Sequence, residues 1–414
     1  MTTAPLVIAG PSLADVEAAR IVVSRVAEVT PMETSRYLSE LLGAPVHLKC
    51  ENLQRTGSYK IRGAYNRMSH LSDDEKARGV VAASAGNHAQ GVAFAARELG
   101  ISATIFMPIG VALPKLQATR HYGAEVVLRG HTVSEPLAAA QEFAKRTGAI
   151  YIPPFDHIDV VAGQGTLGLE LLDQVPDLET VVVPIGGGGL ISGVASVLKR
   201  RAAELGRSIR VIGVQATNAA AYPVSLAAGV ATEIAMLPTI ADGIAVAKPG
   251  KLNFEIIRDA VDEVVTVDDD DIARAMLVLL ERAKMVVEPA GAVGVAAIMT
   301  GKVSATGPTV VVLSGGNIDP LIMERVIAHG LAASERYLKL RIPLPDRPGQ
   351  LARTSEIIAD QNANVVEVLH TRHGTGLAIS QVELELHIET RGPEHADQVI
   401  RALREAGYDP RMQT

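Results

Sequence analysis

The sequence predicts an α/β fold up to about residue 320 and a smaller unit of another kind after it. Runs rich in β-branched residues are typical of strands buried on both faces, and they cover 79–84, 102–108, 124–128, 180–185, 209–215 and 309–314. Helical stretches lie between these runs. Four of them end on a glycine, which suits the last position of a helix: Gly100, Gly123, Gly148 and Gly206. Alternating strands and helices predict parallel sheets with helices on both faces.

The end of the chain has a different pattern. A strand is expected over 336–345, then a DRPG turn, a helix over 350–361, strands over 364–372 and 377–390, and a helix over 393–407. This βαββα order is that of a small two-layer unit. We therefore divide the chain into a first domain at 1–327, a linker at 328–336 and a second domain at 337–414.

Composition limits the ligands that the protein can bind. The net charge of −7 gives the chain no overall attraction to nucleic acid or to an anionic membrane surface. No apolar run approaches the length that crosses a bilayer. Cys50 is the single cysteine, which excludes an intramolecular disulfide. We expect a cytoplasmic protein whose ligands are small molecules, with no nucleic-acid or membrane partner.

Three loops that follow predicted strands have unusual compositions: AGNHAQG at 85–91, GGGG at 186–189 and SGGN at 314–317. Ligands of parallel sheets bind beyond the carboxyl ends of the strands. Four glycines before a helix let backbone N–H groups converge on a phosphate. The loop lacks both the G-x-G-x-x-G pattern and a following Gly-Lys-Ser/Thr, so a dinucleotide or nucleotide site is disfavoured. The alternative for the glycines alone is a flexible connector.

The stretch SYKIRGAYN, residues 58–66, contains Lys60 and no acidic residue. A lysine together with a phosphate site that is not a nucleotide site suggests pyridoxal phosphate, whose aldehyde binds a lysine amine covalently. The amine reacts only when deprotonated. We expect the positive charge of Arg62 and the apolar surroundings from Tyr59 and Tyr65 to favour that form. Taken alone, the stretch is also compatible with a solvated surface lysine.

Together, SYKIRGA, SAGNHAQG, GGGGL and SGGN resemble the motifs of the threonine and serine dehydratases, which are tryptophan-synthase-like (fold type II) pyridoxal-phosphate enzymes. The resemblance covers roughly residues 15–325. It implies a tryptophan-synthase-β-like fold of two parallel-sheet subdomains and pyridoxal 5′-phosphate as the cofactor. It also implies a lyase reaction, the β-elimination that converts L-threonine to 2-oxobutanoate and ammonia, with L-serine as a second substrate.

The resemblance assigns a role to each motif residue. Lys60 is expected to bind the cofactor and to act as the base, Tyr59 to lie against the ring, and Asn87 to bond the ring hydroxyl. Ser314 faces the ring nitrogen, and a neutral hydroxyl there favours elimination. The phosphate is expected to be held by Gly186, Gly187, Gly188, Gly189 and Leu190. The substrate carboxylate is expected to meet the N–H groups of Ser84, Ala85, Gly86 and Asn87.

Other interpretations of single residues stay open. Asn87 and Ser84 could cap the helix that follows them. Glu288 could charge the first turn of a helix or orient Ser314. His88 is expected to have a structural role, because Lys60 already supplies the base, and Cys50 is expected to be a packed, inert thiol.

Other functions also stay open. Serine racemases of this group resemble the same motif but have a serine in place of Ala85, and alanine cannot transfer a proton, so racemisation is disfavoured against dehydration of threonine or serine. The SYKIRGA context argues against a threonine synthase. In the metal site that resemblance to the racemases implies, Gln215 stands where an acidic ligand would be expected, so we predict no divalent metal. A monovalent ion bound by backbone carbonyls stays open. A non-catalytic amino-acid sensor is disfavoured because all four motifs are intact.

The second domain resembles an ACT domain, a ferredoxin-like amino-acid-sensing module, through DRPGQL at 346–351 and NANVVEV at 362–368. Such domains pair edge to edge and bind a free amino acid. The resemblance implies a homodimer or homotetramer regulated by isoleucine or valine. Gly349 and Asn364 are expected near the effector. The sequence leaves open whether the reaction serves isoleucine biosynthesis or threonine catabolism.

Overall fold

The computed structural model describes residues 9–132, 134–372 and 380–413. The chain forms two compact units, which divide between Pro320 and Leu321. Residues 328–336, which the sequence analysis assigns to a linker, belong to the second unit and lie largely in a helix that ends at Ala333. In the part of the chain that the structure describes, no helix is long and apolar enough to span a membrane.

The first unit contains two sheets. Its strands are β1 (Met32–Thr34), β2 (Val46–Lys49), β3 (Val80–Ala83), β4 (Ala103–Met107), β5 (Glu125–Leu128), β6 (Ile150–Tyr151), β7 (Thr180–Pro184), β8 (Arg210–Ala216), β9 (Glu263–Val267) and β10 (Thr309–Val312). The larger sheet has the order β1-β2-β10-β7-β8-β9 and is parallel except for the β1–β2 pair. The smaller sheet, β5-β4-β3-β6, is parallel throughout. All six strands predicted for this unit are present.

The helices of the first unit are α1 (Leu13–Val23), α2 (Arg36–Leu42), α3 (Lys60–Ser69), α4 (Asp73–Arg78), α5 (Asn87–Leu99), α6 (Leu113–His121), α7 (Ser134–Thr147), α8 (Ile158–Gln174), α9 (Gly189–Glu204), α10 (Ala221–Ala228), α11 (Lys251–Ala260), α12 (Asp269–Val278) and α13 (Pro289–Met299). The glycines predicted to end four of these helices all have positive φ, from +64° to +89°, which confirms that prediction. The expected start of α7 at Val133 lies outside the described residues.

Most predicted strands are buried on both faces because helices cover both sides of each sheet. β5 is the exception among them, and the expectation of burial is wrong for this strand. It lies at the edge of the smaller sheet, pairs only with β4, and has no fully buried residue. Its apolar run, Val126 to Leu128, is therefore only half covered.

A network of four buried charged side chains fixes the position of α3. Arg62 of α3 donates to Glu51, with an Nε–Oε2 distance of 2.8 Å, and to Glu170 of α8, with an Nη1–Oε1 distance of 2.6 Å. Lys49, the last residue of β2, donates to the other Glu170 oxygen at 2.7 Å. Burial acts to raise the pKa of Glu51, but the charge and hydrogen bonds of Arg62 outweigh it and lower that pKa. Since α3 begins at Lys60, the network also fixes that residue.

The second unit contains a single antiparallel sheet and three helices in its described residues. It begins in α14 (Pro320–Ala333), which is followed by β11 (Tyr337–Pro345), α15 (Gln350–Asp360), β12 (Asn364–Thr371), β13 (Gln381–Glu389), α16 (Pro393–Glu405) and β14 (Arg411–Met412). The sheet order is β12-β13-β11-β14. This confirms the predicted βαββα order. The structure adds β14, a strand of two residues that no pattern in the sequence predicts. Residues 377–379, the predicted beginning of β13, lie outside the described residues.

One face of this sheet forms the core of the second unit. Every second residue of β11 is buried: Leu338, Leu340, Ile342 and Leu344. This is the two-residue period of a strand with one covered face. Ile358 of α15 and Val399 of α16 belong to the same apolar cluster, so the two helices cover that face.

Replacing Glu170 by glutamine is expected to lower the free energy of unfolding by about 3–5 kcal/mol, because Lys49 and Arg62 would then share one remaining carboxylate in a buried site. Asp173→Asn on the same helix is the control. Asp173 pairs with Arg20 while 56% of its side chain is exposed, so a change below about 1 kcal/mol is expected. Urea denaturation measures both variants, and equal losses of stability would contradict the assignment.

Candidate active site

The motif loops meet at the carboxyl ends of neighbouring strands. β7 and β10 pair in parallel, so the GGGG and SGGN loops that follow them leave the sheet side by side. Ser58 pairs with Gly315, and the Tyr59 N–H donates to the Ser314 carbonyl at 3.2 Å, which brings the start of α3 to the same place. The third loop, AGNHAQG, joins them through a hydrogen bond between Asn87 and Asn317. The structure thus brings together the lysine stretch and all three loops.

Lys60 is the first residue of α3 and lies beside the glycine loop. Its Nζ donates to the Pro154 carbonyl at 3.1 Å and lies 5.1 Å from the centre of the Tyr59 ring. The next residue after Pro154, Phe155, packs directly against Gly187 and Gly189. The loop after β6 therefore contacts both the lysine amine and the predicted phosphate loop.

Arg62 does not supply the free positive charge that the sequence analysis expects beside Lys60. Its guanidinium is fully buried and bonded to the carboxylates of Glu51 and Glu170. Tyr65 is likewise buried, in the apolar core beneath α3. That expectation is wrong because a basic residue two positions away along a helix points to a different side.

Glycine is required in the 186–189 loop by close packing. Gly188 has φ +99°, and a Cβ there would overlap the Tyr222 hydroxyl. A Cβ on Gly187 would overlap the Phe155 ring. The Gly187 carbonyl accepts hydrogen bonds from the Tyr222 hydroxyl at 3.1 Å and from Asn253 Nδ2 at 3.2 Å.

The same loop has the features of a phosphate site. Gly189 and Leu190 are the first residues of α9, where backbone N–H groups have no partner within the helix. A helix start that follows three glycines leaves space for an oxyanion against these groups and against the helix dipole. The loop residues therefore fit the phosphate of pyridoxal phosphate.

Asn87 lies in a hydrogen-bond chain that the sequence did not predict. Its Nδ2 donates to Glu288 Oε1 at 2.7 Å, and its Oδ1 accepts from Asn317 Nδ2 at 2.9 Å. α5 begins at Asn87, and the preceding Gly86 is its N-cap, without a side-chain hydrogen bond. The helix-capping interpretation of Asn87 and Ser84 is therefore wrong. Ser84 Oγ instead accepts from the Gly86 N–H at 3.2 Å.

Glu288 is a buried carboxyl group at the centre of this chain. It precedes α13 as its N-cap but bonds Asn87 rather than the helix. Burial raises the pKa of Glu288 to about 7, and the charge of Asp242 acts in the same direction. Ser314 is also buried, at 3% exposure, directly beyond β10. Neither the Glu288–Asn87 bond nor the Asn317 contact has a signal in the sequence, because the partners are hundreds of positions apart.

An ion pair that the sequence does not predict lies beside the Ser84–Asn87 loop. Lys115 Nζ of α6 lies 2.7 Å from Asp242 Oδ2, and 3.8 Å from the position of a Cβ built on Gly86. A positive charge therefore faces the loop that is expected to meet the substrate carboxylate. Lys115 belongs to no motif, so no pattern could have singled it out.

Three other residues have contacts that indicate a structural role. His88 Nε2 bonds the Ile152 carbonyl at 2.9 Å, and burial lowers its pKa to about 3, so its ring is neutral. Burial raises the pKa of Cys50 to about 12, which makes it an unreactive thiol. Gln215 Oε1 accepts from the Tyr222 N–H at 2.9 Å. Among the described residues, no group of three or more His, Cys, Asp or Glu is placed to hold a metal ion.

The two residues expected near an effector lie in the second unit. Gly349 is the N-cap of α15 with φ +87°, and nothing lies within 4 Å of a Cβ built there. Asn364 is exposed and begins β12, opposite Glu389 of β13. Both therefore lie at the surface of this unit.

Comparison with known proteins identifies the family. Residues 23–315 match the model of the pyridoxal-phosphate dependent enzymes. The chain belongs to this family. Its cofactor is pyridoxal phosphate, in agreement with the lysine and the glycine loop. Residues 340–407 match the ACT domain, so this pyridoxal-phosphate enzyme carries a module that binds a regulatory amino acid.

Relatives of this pyridoxal-phosphate enzyme include the L-threonine ammonia-lyase of Thermotoga maritima, 46% identical over 97% of this chain and 99% of that protein. Among solved structures, the processed form of threonine deaminase isoform 2 from Solanum lycopersicum has a TM-score of 0.72 and 36% identity, covering 80% of this chain and 93% of that one. Maize serine racemase has a TM-score of 0.71 and 34% identity, covering 78% and 98%. These likenesses confirm the predicted fold type II architecture.

Gly188→Ala is expected to remove most of the bound pyridoxal phosphate, because a Cβ there meets the Tyr222 hydroxyl in addition to the strain of positive φ. Gly206→Ala is the control: its φ is +64°, with nothing within 4 Å of the added Cβ. It carries only the backbone cost, about 1–2 kcal/mol. Cofactor absorbance per chain after desalting measures both variants. Equal cofactor content in the two would contradict the assignment of the loop.

Proposed function

We propose that the protein is an L-threonine ammonia-lyase, a lyase that converts L-threonine to 2-oxobutanoate and ammonia. The observation that carries this proposal is the assembly of Lys60, the glycine loop, Asn87 and Ser314 at the carboxyl ends of neighbouring strands. The similarity to the Thermotoga maritima L-threonine ammonia-lyase, which extends over nearly the whole of both chains, supports threonine as the substrate.

In this proposal the motif residues hold the cofactor. Lys60 would bind it through Nζ, and Tyr59 would lie against the ring. The phosphate would be held by the N–H groups of Gly186, Gly187, Gly188, Gly189 and Leu190. Asn87 would donate its second N–H to the ring hydroxyl, and Ser314 would bond the ring nitrogen. When bound, pyridoxal phosphate withdraws electrons from the substrate Cα and so makes its proton removable.

Once the substrate amine has replaced it on the cofactor, the freed Lys60 Nζ is proposed to take the proton from the substrate Cα. Its hydrogen bond to Pro154 places it next to Phe155, which packs against the glycine loop. His88 is disfavoured as the base because its Nε2 atom is already bonded to the Ile152 carbonyl. The neutral Ser314 hydroxyl cannot stabilise a positive charge at the ring nitrogen as a carboxylate would. This favours rapid loss of the β-hydroxyl group.

The substrate carboxylate is proposed to bind at the start of α5, to the N–H groups of Ser84, Ala85, Gly86 and Asn87. The Lys115 ammonium beside Gly86 supports this orientation. The methyl group of Ala85 cannot exchange a proton with the substrate, which favours elimination over racemisation. L-Serine is a second substrate, because one methyl group in a pocket discriminates by only about 1–3 kcal/mol.

The remaining assignments complete the proposal. The first unit, up to Pro320, is the catalytic part in this proposal, and the second unit, from Leu321, is the regulatory part. The ACT domain binds isoleucine or valine near Gly349 and Asn364, in a homodimer or homotetramer. We also propose that the enzyme acts in the cytoplasm.

Purified protein given pyridoxal phosphate and L-threonine is expected to release 2-oxobutanoate, and Lys60→Ala is expected to lower the rate by a factor of about 10²–10⁴, because the base is lost. Lys145→Ala, at an exposed position of α7, is the matched control and should retain the rate. The measurement is 2-oxo acid released per minute, with L-serine run in parallel. If the wild-type protein binds the cofactor but releases no 2-oxo acid, the proposed reaction is wrong.

L-Isoleucine or L-valine is expected to change the threonine concentration at half-maximal rate, and Gly349→Ala is expected to abolish that change by placing a strained residue at the effector site. Gly407→Ala is the control, because its φ of +89° matches the +87° of Gly349 and it lies in the same unit. Threonine saturation curves with and without each amino acid measure the effect. A normal response in Gly349→Ala would exclude this residue from the site.

A further inference from the structure

We propose that Glu288 is a positioning residue, which orients the Asn87 amide toward the cofactor and thereby makes cofactor affinity fall when the Glu288 carboxyl group takes up a proton. The inference concerns cofactor binding and rests on the role that the proposed function gives to Asn87. Glu288 belongs to none of the sequence motifs that carry the assigned roles.

The orientation of the Asn87 amide is determined by its two neighbours. An asparagine side chain has an oxygen that accepts and a nitrogen that carries two hydrogens. Glu288 Oε1 lies 2.7 Å from Asn87 Nδ2, and Asn317 Nδ2 lies 2.9 Å from Asn87 Oδ1. With an acceptor on one side and a donor on the other, only one orientation satisfies both neighbours. That orientation leaves the second N–H hydrogen of Asn87 for the cofactor.

The neighbour that provides the donor is held in place independently. Asn317 Nδ2 also donates to the Thr56 carbonyl at 2.7 Å, which occupies its second hydrogen. Asn317 therefore presents a donor to Asn87 at every pH. The remaining variable is the protonation state of Glu288. The carboxylate only accepts hydrogen bonds, whereas the protonated carboxyl group can also donate one.

The position of Glu288 is also built into the fold. Its backbone N–H donates to the Gly315 carbonyl at 3.0 Å, and its side chain lies against the Cα of Gly315 so closely that a Cβ on Gly315 would overlap Oε1. On another side, a Cβ on Gly243 would lie 3.5 Å from Oε1. Glu288 is buried, with 3% of the residue exposed. It has little freedom to leave Asn87.

The surroundings of Glu288 place its protonation in the neutral pH range. Burial raises its pKa to about 7; the negative charge of Asp242 contributes in the same direction, while Lys115, Asn87 and Lys60 act to lower it. Above pH 7 the carboxylate accepts a charge-assisted hydrogen bond from Asn87, which is stronger than a neutral one. Below pH 7 the carboxyl group carries a proton, so it no longer selects the orientation in which the Asn87 amide presents its nitrogen to Glu288. Cofactor affinity therefore falls as the pH decreases from 8 to 6.

The first experiment measures the dissociation constant of pyridoxal phosphate between pH 6 and 8 for the full-length protein, Glu288→Gln and Glu288→Ala. In the wild type, affinity is expected to fall on the acid side with a midpoint near pH 7. Glu288→Gln keeps the size and the accepting oxygen but cannot titrate, so the acid-side fall should disappear. Glu288→Ala removes the acceptor, and affinity should be about tenfold lower even at pH 8, corresponding to the loss of one hydrogen bond to a charged group.

A second variant keeps the test valid if the Glu288 variants do not fold. Asp242→Asn removes the negative neighbour, so the midpoint of the wild-type fall should move to lower pH while the fall remains.

Two results would overturn the inference: an acid-side fall in Glu288→Gln equal to that of the wild type, or an unchanged midpoint in Asp242→Asn. The affinity measurement uses no substrate. Failure of the wild-type protein to release a 2-oxo acid from L-threonine would therefore refute the proposed reaction and leave this inference to be decided by the affinity profiles.

Discussion

The buried cluster of Lys49, Glu51, Arg62 and Glu170 is the interaction on which the rest of the first unit depends. Each charge costs several kcal/mol to remove from water, and that cost is offset only when geometry and hydrogen bonding are complete. Here each carboxylate is bonded by Arg62, and Glu170 is bonded by Lys49 as well. Because the partners come from β2, the turn after it, α3 and α8, these elements must assemble together.

The position of α3 has direct consequences for the active site. Lys60 begins this helix, two residues before Arg62, and among the described residues its Nζ has one hydrogen bond, to the Pro154 carbonyl. The role that we propose for Lys60 requires an amine that is not held in an ion pair. The charge network fixes the helix at the neighbouring Arg62, which separates that structural role from the reactive role proposed for Lys60.

Much of the fold and of the site could be predicted from the sequence because both rest on local patterns. The runs VVVP and TVVV form buried parallel strands, and the four glycines after β7 lie at the start of a helix. The contacts that could not be predicted are those between distant side chains. Asn87 and Glu288 are 201 positions apart, and Lys115 and Asp242 are 127 apart, with no periodicity that relates them. Arg62 shows the same limit, because its sequence context contains no acidic residue although it is bonded to two.

The second unit shows where a local pattern is ambiguous. Alternation of apolar residues along β11 predicts the strand, but α14 continues through residues that the sequence assigns to a linker. AHGLAA has good helix formers and only one glycine, so propensity alone allows a helix there. The boundary between the units falls at Pro320, a residue type that often begins a helix.

The packing behind the glycine loop restricts how this sequence can change over evolutionary time. Gly187 faces the Phe155 ring and Gly188 faces the Tyr222 hydroxyl, so these two glycines are each closed off by a different side chain. A lineage that gained a side chain at either of them would have to shorten the facing residue at the same step. For Gly188 that change would also delete the hydroxyl that holds the Gly187 carbonyl. Single substitutions at these glycines are therefore blocked by overlap, and paired ones lose stabilising contacts. The sequence of this loop has few neighbouring sequences that preserve the structure.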